Sequence, residues 1–296
     1  MHKLNSSTGA ISLVIHPKEH ELGGFSVRRA LPHGRKRMIG PWIYFDHIGP
    51  ATFPPGQGID VRPHPHINLA TVTYLFNGEM LHRDSLGNVA LIKPGEINLM
   101  VAGKGIVHSE RQRDEIKAHG NSLEGLQLWL ALPDKDEEVE PQFYHYDTDE
   151  IPCVAHGPGK IRVLIGSAYG VNSPVKTYAN TLYVEASLNS GESLELPGAV
   201  EELGVYVVRG RLGLDDAVLD QYTMTVINTQ QGLAIRAIED AQIAIIGGER
   251  LPTRHIWWNF VSSRKQRIEQ ARRDWLEGAF AKIPGDDIEF IPLPED

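Results

Sequence analysis

Cysteine is nearly absent from this chain of 296 residues, in which Cys153 is the only one. A lone thiol cannot form an internal disulfide, so the fold does not depend on oxidation, and Cys153 is interpreted as an ordinary thiol. The sequence also lacks an apolar run of transmembrane length and an apolar signal-peptide core at its N-terminus. These absences predict a chain that works in a reducing, cytoplasmic setting.

Positive charge is also in short supply. The chain has 29 Lys and Arg against 38 Asp and Glu, which gives a net charge of -9. A broad grip on nucleic acid needs a surplus of Lys and Arg on one face, so direct nucleic-acid binding is disfavoured. Binding to an anionic membrane surface is disfavoured for the same reason. Hydrophobic residues make up 41% of the chain, which is enough for one or two sizeable cores.

Glycine and proline divide the chain into short segments rich in Val, Ile, Leu, Tyr and Thr. Turn sequences such as Asn77-Gly78 separate these segments. Many short strands with regular turns predict an all-β sandwich or barrel. The segments predicted as strands are Ala70–Phe76, Glu96–Val101, Leu126–Leu132, Ile161–Ile165, Thr181–Ser187, Gly204–Val208 and Gln242–Ile246.

One helix is predicted near the C-terminus, over Ser263–Phe280. Ser263 followed by Gln266 matches a capping box, and Ile268 and Trp275 recur at helical spacing. The basic residues between them could form a surface for a partner. A solvated face, with the apolar stripe packed on a barrel, is the favoured interpretation.

A weak internal repeat relates the two halves of the chain. Pro63–Gly78 aligns without gaps with Glu195–Gly210, so that Tyr74 meets Tyr206. Two copies of one β-barrel unit would account for both the length and the number of strands.

The repeat predicts two domains. A metal-binding N-terminal barrel would span residues 1–135, and a C-terminal barrel with the helix would span 136–296. The boundary would lie in the polar stretch Pro133–Gly159.

Two pairs of residues with metal-ligand chemistry lie in the first half of the chain. His64 and His66 are two positions apart, and His108 and Glu110 repeat that spacing. Residues i and i+2 of a strand project to one face, so two neighbouring strands would present three nitrogens and one carboxylate. These ligands suit a divalent first-row metal and leave two octahedral positions for a chelating substrate, or for substrate and O₂.

The second copy of the repeat lacks every candidate ligand, which predicts one metal per chain. The alignment places Leu196 opposite His64, Gly198 opposite His66, Ile235 opposite His108 and Ala237 opposite Glu110. The remaining histidines, His2 and His82 among them, lack such pairing and are interpreted as surface or structural. His82 is closest to the motif and is assigned to a hairpin and not to the site.

The residues from Pro63 to Glu110 resemble the signature of the pirin family, whose members are bicupins. Gly40–Pro50 and Trp258–Val261 resemble the flanking segments of that family. The resemblance implies two antiparallel β-barrels of the double-stranded β-helix (cupin) type, followed by the amphipathic helix. It also implies one metal in the N-terminal barrel, on His64, His66, His108 and Glu110. Fe(II) is the expected ion, with Mn, Ni, Cu, Co and Zn as alternatives.

The resemblance leaves three functions open. The first is a quercetin 2,3-dioxygenase-like oxidoreductase, in which a flavonol chelates the metal and Glu110 acts as base. The second is a redox- or metal-responsive regulatory protein that acts through a protein partner. The third is a structural bicupin with an incidental metal, so whether the chain is an enzyme stays open.

One segment departs from the family pattern. After the second histidine the family often has Arg-Gly-Phe-Glu-Thr, whereas this chain has Ile67-Asn68-Leu69-Ala70-Thr71. An arginine, an aromatic ring and a carboxylate are therefore expected to be missing near the metal. Such a loss would alter the shape and charge of the pocket.

Overall fold

A computed structural model of the chain describes residues 9–22, 24–228 and 232–295, so His2 lies outside the described residues. The described chain is mostly β-strand. Its first twelve strands are β1 (Ile11–Ile15), β2 (Lys18–Glu21), β3 (Ser26–Leu31), β4 (Trp42–Phe53), β5 (Asp60–His66), β6 (Leu69–Asn77), β7 (Met80–Asp84), β8 (Val89–Ile92), β9 (Ile97–Val101), β10 (Ile106–Arg111), β11 (Asn121–Ala131) and β12 (Gln142–Tyr146).

The second half of the described chain continues the pattern of short strands. These are β13 (Cys153–His156), β14 (Gly159–Ile165), β15 (Ser167–Ala168), β16 (Val171–Asn172), β17 (Thr181–Leu188), β18 (Ser193–Glu195), β19 (Glu202–Arg209), β20 (Leu212–Leu214), β21 (Ala217–Leu219), β22 (Met224–Ile227), β23 (Ala234–Ala237), β24 (Ala241–Gly248), β25 (His255–Trp257) and β26 (Phe260–Ser262). The helices are α1 (Asp114–Ala118) and α2 (Lys265–Leu276), with a 3₁₀ turn at Asp134–Asp136. Neither α-helix combines the length and hydropathy needed to cross a bilayer.

Two compact units make up the structure, and their segments interleave along the chain. The N barrel comprises residues 19–32, 42–150 and 251–296, and the C barrel comprises 1–18, 33–41 and 151–250. The predicted ranges 1–135 and 136–296 would instead keep each unit continuous in sequence. The difference arises because β1 pairs with β22 in the C barrel, whereas α2 packs on β26 in the N barrel.

Each unit contains one seven-stranded and one four-stranded antiparallel sheet. In the N barrel the strand orders are β12-β9-β6-β11-β4-β3-β2 and β5-β10-β7-β8. In the C barrel they are β1-β22-β19-β24-β17-β14-β13 and β18-β23-β20-β21. The two orders correspond strand by strand, which confirms the all-β bicupin architecture. Each of the seven predicted strand segments overlaps an observed strand.

The strand register confirms the repeat and corrects one part of its alignment. Tyr74 of β6 and Tyr206 of β19 occupy equivalent central strands, as aligned. His108 lies opposite His64 in one barrel, whereas Ile235 lies opposite Leu194 in the other. His64 therefore corresponds to Leu194, and not to Leu196 as the gapless alignment had it. The connection from β18 to β19 is longer than that from β5 to β6, and a gapless alignment misses this.

Apolar residues pack the interior of the C barrel. Leu194, Leu212, Ile235 and Ala237 are buried members of one cluster that also includes Ile245. Burying such a side chain contributes roughly 1.5–3 kcal/mol relative to leaving it exposed. In the C barrel, apolar side chains therefore fill the interior at the positions where the N barrel carries histidines.

Helix α2 begins later than predicted, and its capping differs. Arg264 is its N-cap and makes no side-chain capping bond. The hydroxyl of Ser263 donates instead to the carboxylate of Glu137, at 2.8 Å, so no capping box forms. Ile268 and Ala271 are the buried residues of the helix and pack with Phe260, as the apolar stripe predicted.

Arg264 at the N-cap of α2 and two arginines of the helix make contacts within the N barrel. Arg267 donates to the Glu138 carboxylate at 2.9 Å, and Arg264 pairs with Glu138 at the same distance. The guanidinium of Arg272 lies 4.1 Å from the ring centre of Trp257. These contacts agree with a solvated, ion-paired face.

Candidate metal centre

Neighbouring strands bring the three candidate histidines together. His64 and His66 lie on β5, and His108 lies directly opposite His64 on β10. The register shifts between His108 and Glu110, where two steps along β10 face three along β5. Because of this irregularity, Glu110 pairs with Val61 and not with the β5 residue that a regular ladder would place opposite it.

The three imidazoles form a buried cluster. The ring centres of His64 and His108 are 4.3 Å apart, and each lies 5.0 Å from the ring centre of His66. One nitrogen from each ring lies within 4.8 Å of the other two. The three residues are 1–6% exposed, so little of each imidazole is open to solvent. The predicted histidine cluster is therefore present.

The Nδ1 atom of each histidine has a partner. Nδ1 of His64 lies 2.9 Å from the carbonyl oxygen of Arg62, and Nδ1 of His66 lies 3.0 Å from that of Asn259. Nδ1 of His108 lies 3.5 Å from Nδ1 of His82. A carbonyl only accepts, so the first two rings carry their proton on Nδ1 and leave Nε2 as a lone pair.

These residues fit a divalent metal. Nε2 of His108 is buried, and no hydrogen-bond partner reaches it in the described part of the chain. A buried polar atom without a partner is costly, and a metal ion would satisfy it. Burial also lowers the pKa of His64 to about 4 and holds the pKa values of His66 and His108 well below their usual range. The imidazoles are therefore neutral, as metal ligands must be.

Glu110 lines the same cavity as the three histidines but lies outside the 4.8 Å group. Burial raises the pKa of its carboxyl to about 7, although a hydrogen bond with Thr73 acts in the opposite direction. A carboxyl poised near neutrality can take up or release a proton at working pH. Its assignment as the fourth ligand stays a prediction.

The cavity beside the histidines has a volume of about 510 Å³ and an aromatic wall. The rings of Tyr44 and Trp129 stack at 3.9 Å with an interplanar angle of 10°. Trp129 also meets the edge of His66, with 5.0 Å between ring centres. Aromatic side chains therefore border the histidines on this side of the cavity.

An arginine and a carboxylate form a second part of the cavity wall. Two nitrogens of Arg29 each lie 2.8 Å from an oxygen of Asp46, and the Tyr44 hydroxyl donates to Asp46 at 2.9 Å. The guanidinium also lies 4.4 Å from the ring centre of Tyr44. Burial, followed by the charge of Asp46, holds the pKa of Tyr44 well above its usual range, so its hydroxyl stays protonated.

The expectation of a depleted pocket is wrong. In the described part of the chain, none of the four residues Ile67-Asn68-Leu69-Ala70 lines the cavity. Ile67 packs with Phe260 and Ile268, and Asn68 adopts φ 58° and donates to the carbonyl of Glu137. Other strands supply such groups to the cavity instead, among them Arg29 of β3, Asp46 of β4 and Trp129 of β11.

His82 lies in the β7–β8 hairpin, as predicted, and in the described part of the chain it neither joins the group of three histidines nor lines the cavity, but its ring contacts His108. His82 lies on β7, is 4% exposed and sits opposite Glu110 on β10. Its ring centre is 5.4 Å from that of His108. His82 and Asp84 share the i, i+2 spacing of the two ligand pairs, and this signal could have placed His82 beside the site.

A second group with ligand chemistry lies at the edge strand β12. Nε2 of His145 lies 3.8 Å from a carboxylate oxygen of Glu96 and 3.4 Å from one of Asp147. Asp147 is exposed, and Nδ1 of His145 bonds Asn98 at 2.7 Å. The group is explained as a surface contact of the imidazole with an amide and two carboxylates.

The fold and the site define a class of protein, a cupin-type double barrel whose N barrel holds a buried histidine cluster. The Pirin family model matches residues 24–130, and the Pirin C-terminal cupin domain model matches residues 183–281. A pirin-like protein of Caulobacter vibrioides is 44% identical over 289 residues, which cover 96% of this chain and 100% of that protein. The chain therefore belongs to the pirin family.

Solved structures agree with this assignment. A quercetin 2,3-dioxygenase from Acinetobacter baumannii has a TM-score of 0.88 at 34% identity, over 96% of this chain and 95% of that chain. The bacterial pirin YhhW from Escherichia coli, in complex with nickel(II), has a TM-score of 0.65 at 18% identity. That match covers 81% of this chain and 99% of that chain, and it supports the fold alone.

Proposed function

We propose that this chain is a metal-dependent dioxygenase of the flavonol type, with quercetin as the model substrate. The observation that carries the proposal is the buried cluster of His64, His66 and His108 beside a cavity with a stacked aromatic wall. The resemblance to a quercetin 2,3-dioxygenase at 34% identity supports the choice of substrate class. A cytoplasmic setting accords with the single, unpaired Cys153.

His64, His66 and His108 would hold the metal through Nε2, and Glu110 would complete the set. We propose Fe(II) as the resident ion. A divalent metal there would supply Lewis acidity toward the hydroxyl and carbonyl of a flavonol, and would support its reaction with O₂.

The residues of the chain then have separate tasks. The stacked pair Tyr44 and Trp129 orients the flat ring system toward the histidines. Glu110, with its pKa raised to about 7, accepts the proton of the flavonol hydroxyl. Burial of the cluster excludes water from the deprotonated substrate.

The experiment combines metal analysis with oxygen uptake. The purified chain loaded with Fe(II) should hold one metal per chain and consume O₂ when quercetin is added. His108→Ala should lose both the metal and the uptake. Glu110→Gln should keep metal but lose uptake by about 10²–10⁴-fold, the usual contribution of general acid–base catalysis.

A matched control is His47→Gln, because His47 is also buried in the N barrel but does not line the cavity. This variant should keep both metal and oxygen uptake. A metal-loaded wild-type chain that shows no quercetin-dependent uptake would overturn the dioxygenase proposal. Full uptake in Glu110→Gln would overturn only the role of Glu110 as base.

A further inference from the structure

We infer that His82 and Asp84 form a hydrogen-bond relay that fixes the ring and the tautomer of His108, and so set the affinity of the metal centre. The inference rests on the proposed metal centre and deepens it. Both residues are positioning residues, since they would act through His108 and would not touch the metal.

The β7–β10 ladder builds this relay. Asp84 lies opposite His108, and His82 lies opposite Glu110. Nε2 of His82 is 3.1 Å from a carboxylate oxygen of Asp84, and Nδ1 of His82 is 3.5 Å from Nδ1 of His108. His82 is 4% exposed and Asp84 is fully buried, so water does not compete for these bonds.

The direction of the bonds follows from the chemistry of the carboxylate. Asp84 already accepts from main-chain nitrogens, so it also accepts from Nε2 of His82, and Nδ1 of His82 is the nitrogen left to accept from His108. Nδ1 of His108 must then donate to His82. Nε2 of His108 is left with a lone pair, and this is the buried atom that lacks a partner in the described chain.

Other contacts hold the relay rigid. An oxygen of Asp84 accepts from the main-chain nitrogens of Leu86 at 2.9 Å and Asn88 at 3.1 Å. The ring of His82 stacks on Phe143, with 4.3 Å between ring centres and 13° between planes. The orientation of His108 is therefore tied to the β7–β8 turn on one side and to β12 on the other.

The C barrel shows that the fold does not require these two residues. Leu212 lies opposite Ala237 there, as His82 lies opposite Glu110 in the N barrel, and Leu214 follows two positions later. Leu212 and Leu214 are 0% and 1% exposed. The barrel without the histidine cluster thus also lacks the relay and packs apolar side chains in its place.

His108 differs from the other two ligands in this respect. Main-chain carbonyls orient His64 and His66, and substitution cannot remove them. A side-chain partner orients His108, so its contribution can be tested. Removal of a hydrogen-bond partner behind a metal ligand typically costs 10–100-fold in metal affinity.

The test compares two variants of the full chain with Co(II) as the probe. His82→Leu copies the residue of the C barrel and cannot accept a hydrogen bond. His82→Gln can accept from His108 through its amide oxygen and donate to Asp84. Co(II) affinity, from chelator competition, should fall about 10–100-fold in His82→Leu and stay within about threefold of wild type in His82→Gln. His47→Gln is the control for loss of a buried histidine, and it should bind Co(II) normally.

A second readout needs no metal. Nitrogen-15 spectra of the imidazoles in the metal-free chain should show hydrogen on Nδ1 of His108 and on Nε2 of His82. Equal Co(II) affinity in wild type and His82→Leu, or hydrogen on Nδ1 of His82, would overturn the relay. A wild-type chain that binds no Co(II) would overturn the metal centre and the relay together. Neither readout depends on turnover, so a chain that oxidises no flavonol leaves the relay standing.

Discussion

His66 and Asn259 are 193 positions apart in the chain, yet Nδ1 of His66 lies 3.0 Å from the main-chain oxygen of Asn259. The contact joins β5 to the turn between β25 and β26, within the N barrel. It places the proton of His66 on Nδ1 and turns Nε2 toward the histidine cluster. A segment close to the C-terminus thus sets the ring orientation of His66, a candidate metal ligand.

The turn that supplies this carbonyl contains a strained residue. Trp258 has φ 52°, a left-handed conformation that glycine adopts at low cost and other residues do not. We expect Trp258→Gly to be more stable than Trp258→Ala by about 1 kcal/mol, because both lose the indole and only alanine keeps the strain. Urea unfolding of the two variants checks this. Equal stability would contradict the strain argument.

Glu202 should make the C barrel sensitive to acid. Its carboxylate bonds Lys36 at 2.6 Å, the main-chain nitrogen of Gly40 at 2.8 Å and Arg250 at 3.0 Å. Burial acts to raise the pKa of Glu202, but these bonds outweigh it and lower the pKa below the usual 4.5. The stability it contributes is therefore present above pH 4.5 and is lost as the pH falls through the lowered value.

Glu202→Gln tests this dependence. The variant should unfold more easily than wild type at pH 7, by about 1–3 kcal/mol, since its three hydrogen-bond donors lose a buried, charged acceptor. The difference should shrink as the pH drops below 4.5 and through the lowered pKa of Glu202. Thermal unfolding from pH 3 to pH 7 measures it. Glu239→Gln, at an exposed ion pair with Arg211, should change little. A difference that is independent of pH would contradict the prediction.

Arg254 forms a buried ion pair in the N barrel. Its Nε lies 3.0 Å from an oxygen of Glu137, and its side chain is 0% exposed. Another of its nitrogens donates to the carbonyl of Leu132 at 2.8 Å. We expect Arg254→Met to cost about 3–5 kcal/mol, because it leaves Glu137 buried without its cation.

The double variant Arg254→Met with Glu137→Gln should recover part of this loss. It removes the unpaired charge but keeps an acceptor for Ser263. Chemical unfolding of Arg254→Met, Glu137→Gln and the double variant measures the coupling. If the double variant loses more unfolding free energy than the two single variants lose together, the result would argue against a buried-charge penalty.

Ile67 provides a test of which residues shape the pocket. The structure packs it against Phe260 and Ile268, away from the cavity. Ile67→Ala should therefore cost about 2–5 kcal/mol in stability and leave the KM for quercetin unchanged. Trp129→Leu, on the cavity wall, should raise that KM. A change of KM in Ile67→Ala at a temperature where the variant is fully folded would place Ile67 in substrate binding.

Sequence patterns of short range were sufficient for several parts of the fold and site. The i, i+2 spacing of His64 and His66 determined that both side chains face one side of β5, because alternation along a strand is a local property. Turn residues and β-branched segments predicted the strands for the same reason. The loss of ligand chemistry from the second copy of the repeat limited the histidine cluster to one barrel.

Only the tertiary structure decided how these parts meet. It paired β1 with the C barrel, and it brought Asn259 to His66 and His82 to His108. It also turned Ile67 away from the cavity and built the aromatic wall from β4 and β11. Each of these depends on strand register and on contacts between distant segments. A shift of one residue in register reverses the face of every side chain, and the local sequence does not encode that choice.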